Sequence, residues 1–544
     1  MDDVNLTLSM LAAVLISNSM VKIIPVAIPA PLVQILLGFL IAGWFNHGMT
    51  LNPDLFFYLF LPPLLFLDGW RISKESLIRD RIGILVLAFV LVFLTVFGLG
   101  HVLHWLIPAM PLPVAFALAA IVSPTDPVAV SAITRRVPLP PRLQALLEGE
   151  SLFNDASGLV AFRLAVALAL GGSFSVTSAS QNFLWLTLAG LAVGVVTTRA
   201  LLFLRNLFVR RWGEEPGAEI LFSLLLPFAS YFLAEQLEAS GILAAVAAGV
   251  TMSYAELSGN ALATTRMQRK TVWDTLQLSL NGMMFVLLGE QLPAIFRGAV
   301  QVVQETGHHN PAWLLVYAVA MCTTLILLRF LCVYAYLWLR RGLSLLGLRH
   351  DDETAQANPR LVLVLSIAGV RGAVTLAGVM TLPLTLTDGS PFPARDLAIF
   401  LASVVIIVSL LTASLALPPL MKRVSFPALH RRQEQEERAE QAVRHASAQS
   451  VAQTLNELIA HNPESSGARY TAMADRVLSN IAHSPQGGEV DQDLAEQTLE
   501  KNMQIQAIHA AREAVYTLAR THQISDEIAR ERVRLLDLIE LRMS

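Results

Sequence analysis

Eight ionisable residues lie inside otherwise apolar stretches: Asp68 in LPPLLFLDGW, Asp126 in SPTDP, Glu148, Glu150, Asp155 and Arg163 in LLEGESLFNDASGLVAFR, Arg329 in LILLRFLCVY, and Arg371 in SIAGVRGAVTLAG. A charge at the centre of a membrane helix costs about 2.5–3.5 kcal/mol on insertion scales, so each needs a partner or a task. Asp126 sits between Pro124 and Pro127. The prolines leave the carbonyls of Ala120 and Ser123 without helical donors and disfavour helix at Ser123 and Asp126, so a break is expected there. Freed carbonyls, the Asp126 carboxylate and the hydroxyls of Ser123 and Thr125 are hard oxygen ligands of the kind a small alkali cation takes. The alternative is a proline kink with a capping aspartate. Ser151 and Asp155 are four residues apart and share a helix face, with Asn154 adjacent and Gly158 leaving room for close approach. A carboxylate buried there is uncomfortable when ionised alone, so it can hold a proton or a cation by turns. The alternative is a structural pair with Arg163, two turns away. Arg371 keeps its charge and must find a carboxylate or freed carbonyls, and compensation of a nearby glutamate is preferred to direct ion handling.

The elements that position these residues follow from composition. The chain has 544 residues, 54 % of them hydrophobic and 15 % charged, with a mean hydropathy of +0.56. That is far too apolar for a soluble globular protein and indicates an all-α polytopic membrane protein. Spans of about 20 apolar residues occur thirteen times, near 4–20, 25–45, 54–70, 81–107, 112–134, 145–170, 182–206, 217–236, 240–256, 271–293, 312–339, 359–385 and 393–421. Lysine and arginine gather in alternate loops, which places the N-terminus outside and the C-terminus in the cytoplasm. Spans five and twelve then cross in opposite directions, as inverted repeats with discontinuous helices do. The acidic start MDDVNLTLSMLAAVL lacks the basic region of a signal peptide, so the first span is expected to be retained. Residues 1–423 form the membrane part, and 424–544 a helical cytoplasmic tail broken at NPESSG and SPQGGE. Its last run, EIARERVRLLDLIELRM, is amphipathic and could bury one face against a partner. A net charge of −3 suggests no nucleic-acid partner, and two cysteines, Cys322 and Cys332, support no disulfide framework or thiolate metal site.

LPPLLFLDGWR, IVSPTDPVAVSAI, LEGESLFNDASGLVAFRLA, SGILAAVAAGV, NGMMFVLLGEQLP and AGVRGAVTLAG, in this order, resemble bacterial sodium/proton antiporters of the NhaP/YjcE type. These belong to the cation/proton antiporter superfamily that includes the eukaryotic sodium/hydrogen exchangers. The resemblance implies the NhaA-like antiporter fold: a homodimer of about 13-helix protomers, each with a dimerisation part and a core of two interrupted crossing helices that moves like an elevator. It also implies residue roles. Asp155 and Asn154 match the family's ND motif, Asp126 and Thr125 the interrupted-helix pair, Ser151 a serine ligand, and Glu150 with Arg371 a stabilising ion pair. Asp68 occupies a third-helix acidic position that is Glu in some relatives. Na⁺ would sit at Asp155, Ser151 and Thr125, and the ND pairing resembles members that exchange one cation for one proton without net charge movement. Glu148 has no matching role, and Glu290 stands where an apolar residue is expected and is placed at the outer interface.

The expected function is exchange of Na⁺ or Li⁺ for H⁺ across a bacterial inner membrane, with cation and proton competing for Asp155 and no cofactor. A K⁺/H⁺ antiporter would share these features, since ligand types alone do not separate the alkali cations. A cation channel lacks support, because no filter segment repeats. An intramembrane aspartyl protease using Asp126 and Asp155 would need a GxGD segment that the sequence does not contain.

Overall fold

The computed structural model describes residues 2–23, 29–45, 53–72, 74–126, 130, 141–171, 176–256, 262–305, 310–345, 359–386, 389–421, 429–461, 467–482, 494–521 and 523–543. Over these residues the expected apolar segments are helical apart from stretches within 112–134 and 359–385, and no strand occurs beyond one isolated bridge, Thr385 to Pro391. The membrane part comprises α1 (Asp2–Ile23), α2 (Ala30–Phe45), α3 (Pro53–Arg71), the short α4 (Lys74–Arg79), α5 (Arg81–Leu106), α6 (Leu112–Val122), α7 (Pro141–Ala169) and α8 (Val176–Trp212). It continues with α9 (Pro216–Gln236), α10 (Gly241–Glu256), α11 (Ala263–Glu305), α12 (Trp313–Leu345), α13 (Pro359–Ile367), α14 (Ala373–Met380) and α15 (Arg395–Met421). Seven helices among the described residues are long and apolar enough to cross a bilayer; α1, α2, α6 and α10 are shorter apolar helices.

The helices sort into two groups. Helices α1, α2, α3, α8, α9, α10 and α11 pack together as a scaffold, while α5, α6, α7, α12, α13, α14 and α15 form a core, with α15 also packing on α11. Small residues let the scaffold backbones meet. Gly38 of α2 faces the carbonyl of Val286, and Gly289 of α11 faces that of Ile35; Gly69 of α3 and Gly249 of α10 do the same with Val246 and Phe66. A side chain at any of these four glycines would collide with backbone, which moves far less readily than a side chain. Glu290 follows Gly289 and is only 3 % exposed. The glycine that draws α11 onto α2 carries its neighbour into the scaffold interior.

Two stretches of the core depart from helix. Chain following α6 leaves the helical path at residues 123–126, and the chain between α13 and α14 does so at 368–372. The first break follows from Pro124 and Pro127; the second contains no proline but carries Gly369 and Gly372. The two breaks meet, with the Asp126 amide donating to the Val370 carbonyl at 2.7 Å.

The tail forms α16 (Leu429–His461), α17 (Gly467–Ala482), α18 (Leu494–Arg520) and α19 (Asp526–Met543). NPESSG and SPQGGE lie almost wholly outside the described residues. The amphipathic last run buries Ile528, Ala529, Val533 and Leu536 against α16 and α18, so the partner of that face is the tail itself. The same helix touches α11.

Candidate ion-binding site

The seam between scaffold and core holds a cavity of about 30 Å³, room for a water-sized body. From the core it is lined by Pro124, Thr125 and Asp126 of the first break, Ser151 and Asp155 of α7, and Gly372, Val374 and Thr375 around the start of α14. From the scaffold come Leu64, Leu65 and Asp68 of α3 with Gln277 and Asn281 of α11. Five of the residues singled out in the sequence, Asp68, Thr125, Asp126, Ser151 and Asp155, thus share one enclosure. Glu148 and Glu150 lie on α7 outside its lining.

The spacing of Ser151 and Asp155 on α7 aims both into the cavity. Helix α7 is held in register two residues further on, where the Ser157 hydroxyl donates to the Ala88 carbonyl at 2.6 Å. Ala88 belongs to a π-helical turn, Val86–Val90, inside α5, the kind of irregularity that exposes backbone to a partner. Asp155 is 5 % exposed. No ion pair between it and Arg163 forms: Arg163 reaches Glu235 of α9 at 3.4 Å instead, which removes the structural-pair alternative. Asn154 is absent from the lining. Its amide nitrogen donates to the Thr125 hydroxyl at 3.1 Å, and its carbonyl oxygen has no hydrogen-bond partner among the described residues.

Thr125 in turn donates to Glu150 at 3.3 Å, which connects the site to a buried ion pair, but not the one expected. Glu150 is held by Arg329 of α12, with one contact at 2.7 Å and a second from the other guanidinium nitrogen. Arg329 also donates to the Leu365 carbonyl at 2.9 Å. The expected Glu150–Arg371 pair is therefore corrected to Glu150–Arg329. Arg371 goes to carbonyls freed by the two breaks: Val122 at 3.0 Å, at the end of α6, and Gly369. Its backbone amide donates to the Ser409 hydroxyl at 3.1 Å. A guanidinium at the carbonyl end of α6 offsets the negative end of that helix, so no carboxylate is needed to compensate it.

Gly372 is where the crossing is tightest. A Cβ on it would overlap the Asp126 carboxylate, so glycine here lets the two breaks close on one another. Helix α14 begins at this point, after its N-cap Gly372, and its positive end favours negative charge beside it. Carboxylates, hydroxyls and amide oxygens together make a hard oxygen donor set. Among the described residues no group of three or more His, Cys, Asp or Glu has metal-holding geometry. The set fits a weakly held monovalent ion better than a resident divalent metal.

Gln277 and Asn281, one turn apart on α11, are polar lining residues that the sequence did not single out, as is Thr375 of α14. Gln277 accepts from Arg71 at 2.6 Å. Neutral amides in a long helix cost little to bury when paired and give no signal in a search for charges.

Residues 9–423 match the family profile "Sodium/hydrogen exchanger, transmembrane". The chain is 37 % identical over 542 residues to the uncharacterized Na(+)/H(+) exchanger YjcE of Escherichia coli (strain K12), covering 98 % of this chain and 97 % of that one. It is 42 % identical over 425 residues to the sodium, potassium, lithium and rubidium/H(+) antiporter of Bacillus subtilis (strain 168), covering 77 % of this chain and 61 % of that relative. The fold is similar to the sodium proton antiporter MjNhaP1 from Methanocaldococcus jannaschii, with a TM-score of 0.54 at 20 % identity over 77 % of this chain and 97 % of that one. The chain belongs to the sodium/hydrogen exchanger family and is a multi-pass membrane protein that exchanges monovalent cations for protons, a transporter and not an enzyme.

Proposed function

We propose that the chain exchanges Na⁺ for H⁺ without net charge movement, with the two ions competing for Asp155. The observation that carries this is the convergence of Asp155, Ser151, Thr125, Asp126 and Asp68 on one small cavity between scaffold and core. The cation displaces the proton of Asp155 and takes Ser151 and Thr125 as further oxygen ligands, with Asn154 holding Thr125 in place. A proton arriving at the carboxylate expels the cation. Either occupied form is free to cross with the core, whereas the bare carboxylate is held back by its desolvation cost. Glu150 and Arg329 fix the Thr125 side of the site and carry no ion.

The surrounding arrangement belongs to the same proposal: thirteen crossings, inverted repeats, a homodimer in a bacterial inner membrane, a membrane part over 1–423 and a cytoplasmic tail over 424–544. Its support is the run of basic residues Arg71, Lys74, Arg79, Arg266, Arg269 and Lys270 at the helix ends nearest the tail, the distribution expected of a cytoplasmic face. Exchange of K⁺ is the second possibility, favoured by the Bacillus subtilis relative, whose name includes potassium.

The test is proton efflux from acid-loaded proteoliposomes on adding Na⁺, Li⁺ or K⁺, with and without an imposed potential. Na⁺-dependent efflux that ignores the potential and disappears in Asp155→Asn is the expected outcome. Efflux that persists in Asp155→Asn removes the central role of that residue, and a rate that follows the potential removes electroneutrality.

A further inference from the structure

A second and much larger chamber, about 340 Å³, lies in the same seam on the side away from the tail. It is lined by Leu159, Phe162 and Arg163 of α7, Tyr58 of α3, Glu235 of α9, and Thr381 just beyond α14. Three of the elements that line it, α7, α3 and α14 with its following turn, also line the ion site. On α7, Ser151 and Asp155 face the small cavity, and Leu159, Phe162 and Arg163 continue the same face into the chamber. On α3 the order is Asp68 then Tyr58, and from α14 it is Thr375 then Thr381. Leu65 lines the small cavity and Leu159 and Phe162 the chamber, and with Leu61 they belong to one buried cluster, none more than 5 % exposed, an apolar plug that a hydrated ion cannot cross.

An ion pair in the chamber spans the seam. Arg163 and Glu235 meet at 3.4 Å, with side chains 45 % and 26 % exposed. Glu235 is also tied to the scaffold, accepting from the Gly241 amide at 3.2 Å at the start of α10. Arg163 rides on the core helix that carries Asp155. If core and scaffold shift, the arginine leaves and the carboxylate stays, facing a space that accommodates a cation with part of its hydration shell.

We propose that this chamber is the entry to the ion site from the side away from the tail, that Arg163–Glu235 latches that entry shut, and that Glu235, once released, is the first stop for the incoming hydrated monovalent cation. The proposal rests on the antiport function. Opening requires Leu159 and Phe162 to part from Leu61 and Leu65 and the latch to break in the same movement, so the pair sets how often the entry is open.

The test uses the full chain in proteoliposomes, in a Cys322→Ser, Cys332→Ser background. With Leu159→Cys as a reporter at the plug, a position only 3 % exposed while the latch is closed, Arg163→Gln or Glu235→Gln should raise labelling by a membrane-impermeant maleimide about fivefold, the shift that a partly exposed pair worth about 1 kcal/mol commands. The charge swap Arg163→Glu with Glu235→Arg should return labelling to its starting level. A second variant, Arg163→Cys with Glu235→Cys, is joined by a bifunctional methanethiosulfonate. Exchange should stop when the link forms and resume on reduction. Unchanged labelling in both single variants, a swap that restores nothing, a link that does not form, or exchange that continues through a completed link would each overturn the latch. Exchange by the unlinked background that still depends on Asp155 keeps those failures separate from failure of the antiport function.

Discussion

Among the described residues Glu150 and Arg329 are the most deeply buried ion pair in the core, and the partner choice has a measurable consequence. Removing one member of such a pair leaves an uncompensated buried charge and destabilises by about 3–5 kcal/mol, whereas removing both together costs much less. Arg329→Gln should therefore lower the thermal midpoint of the purified protein sharply, and Arg329→Gln with Glu150→Gln should recover most of the loss. Arg371→Gln, which takes a guanidinium from carbonyls and not from Glu150, should gain nothing from Glu150→Gln; a recovery there would reinstate Arg371 as the partner. At this scale the site was largely legible, because buried carboxylates are expensive and Asp68, Asp126 and Asp155 stood out for that reason. Partner assignment was not. Arg329 lies 179 residues from Glu150, and no local spacing tells which of two intramembrane arginines a distant carboxylate will meet.

The two broken helices are the elements on which the site depends, and they became readable to different degrees. Pro124 and Pro127 announce the first break by removing backbone donors. The second has only its glycines, which are equally compatible with close packing of an intact helix, and its end points follow from the way residues 368–372 wrap around the first break. Gly372 carries the tightest demand, since a Cβ there meets Asp126. Gly372→Ala should push the breaks apart, costing about 1–3 kcal/mol as overpacking does, and should slow exchange far more than it lowers the thermal midpoint, because Asp126 is displaced within the cavity. Initial rates of cation-driven proton efflux, set against melting curves of the same preparation, decide it. Wild-type rates in Gly372→Ala would mean that the carboxylate and the second break do not need their contact. The scaffold's glycine pairs have no such chemical readout, and their sequence signature is only small residues within apolar helices.

At the scale of the whole molecule, the tail helix α19 clasps the junction between scaffold and core. Asp526 accepts from the Lys74 amide at 2.7 Å, at the start of α4, and Arg530 donates to the Arg71 carbonyl at 2.7 Å, at the end of α3. Arg266 of α11 bonds Asp537 at 2.9 Å. That the tail is helical and amphipathic was evident from its pattern; where it docks was not, because docking depends on backbone groups at a helix junction that side-chain chemistry does not advertise. Lys74 makes the docking sensitive to pH. Its amine is buried, donates to the Ser253 carbonyl at 2.8 Å and lies 4.5 Å from the Tyr254 ring centre. Burial pushes it down from its ordinary value to about 8, with Arg530 acting in the same direction and Asp526 and Glu256 opposing. Below pH 8 the amine is charged whether buried or not, and enclosing it carries the full desolvation cost. Between about 8 and 10.5 the enclosed amine is neutral while an exposed one keeps its proton, so rising pH favours the enclosed arrangement. Hydrogen-exchange protection of α19, corrected for the intrinsic pH dependence of exchange, should therefore increase between pH 7 and pH 9 (about 1 unit either side of that value). Lys74→Met, which buries a similar volume without a proton to lose, should give high protection at both. Equal protection at the two pH values in the unaltered chain, or a pH dependence that survives Lys74→Met, would detach the tail's docking from this amine.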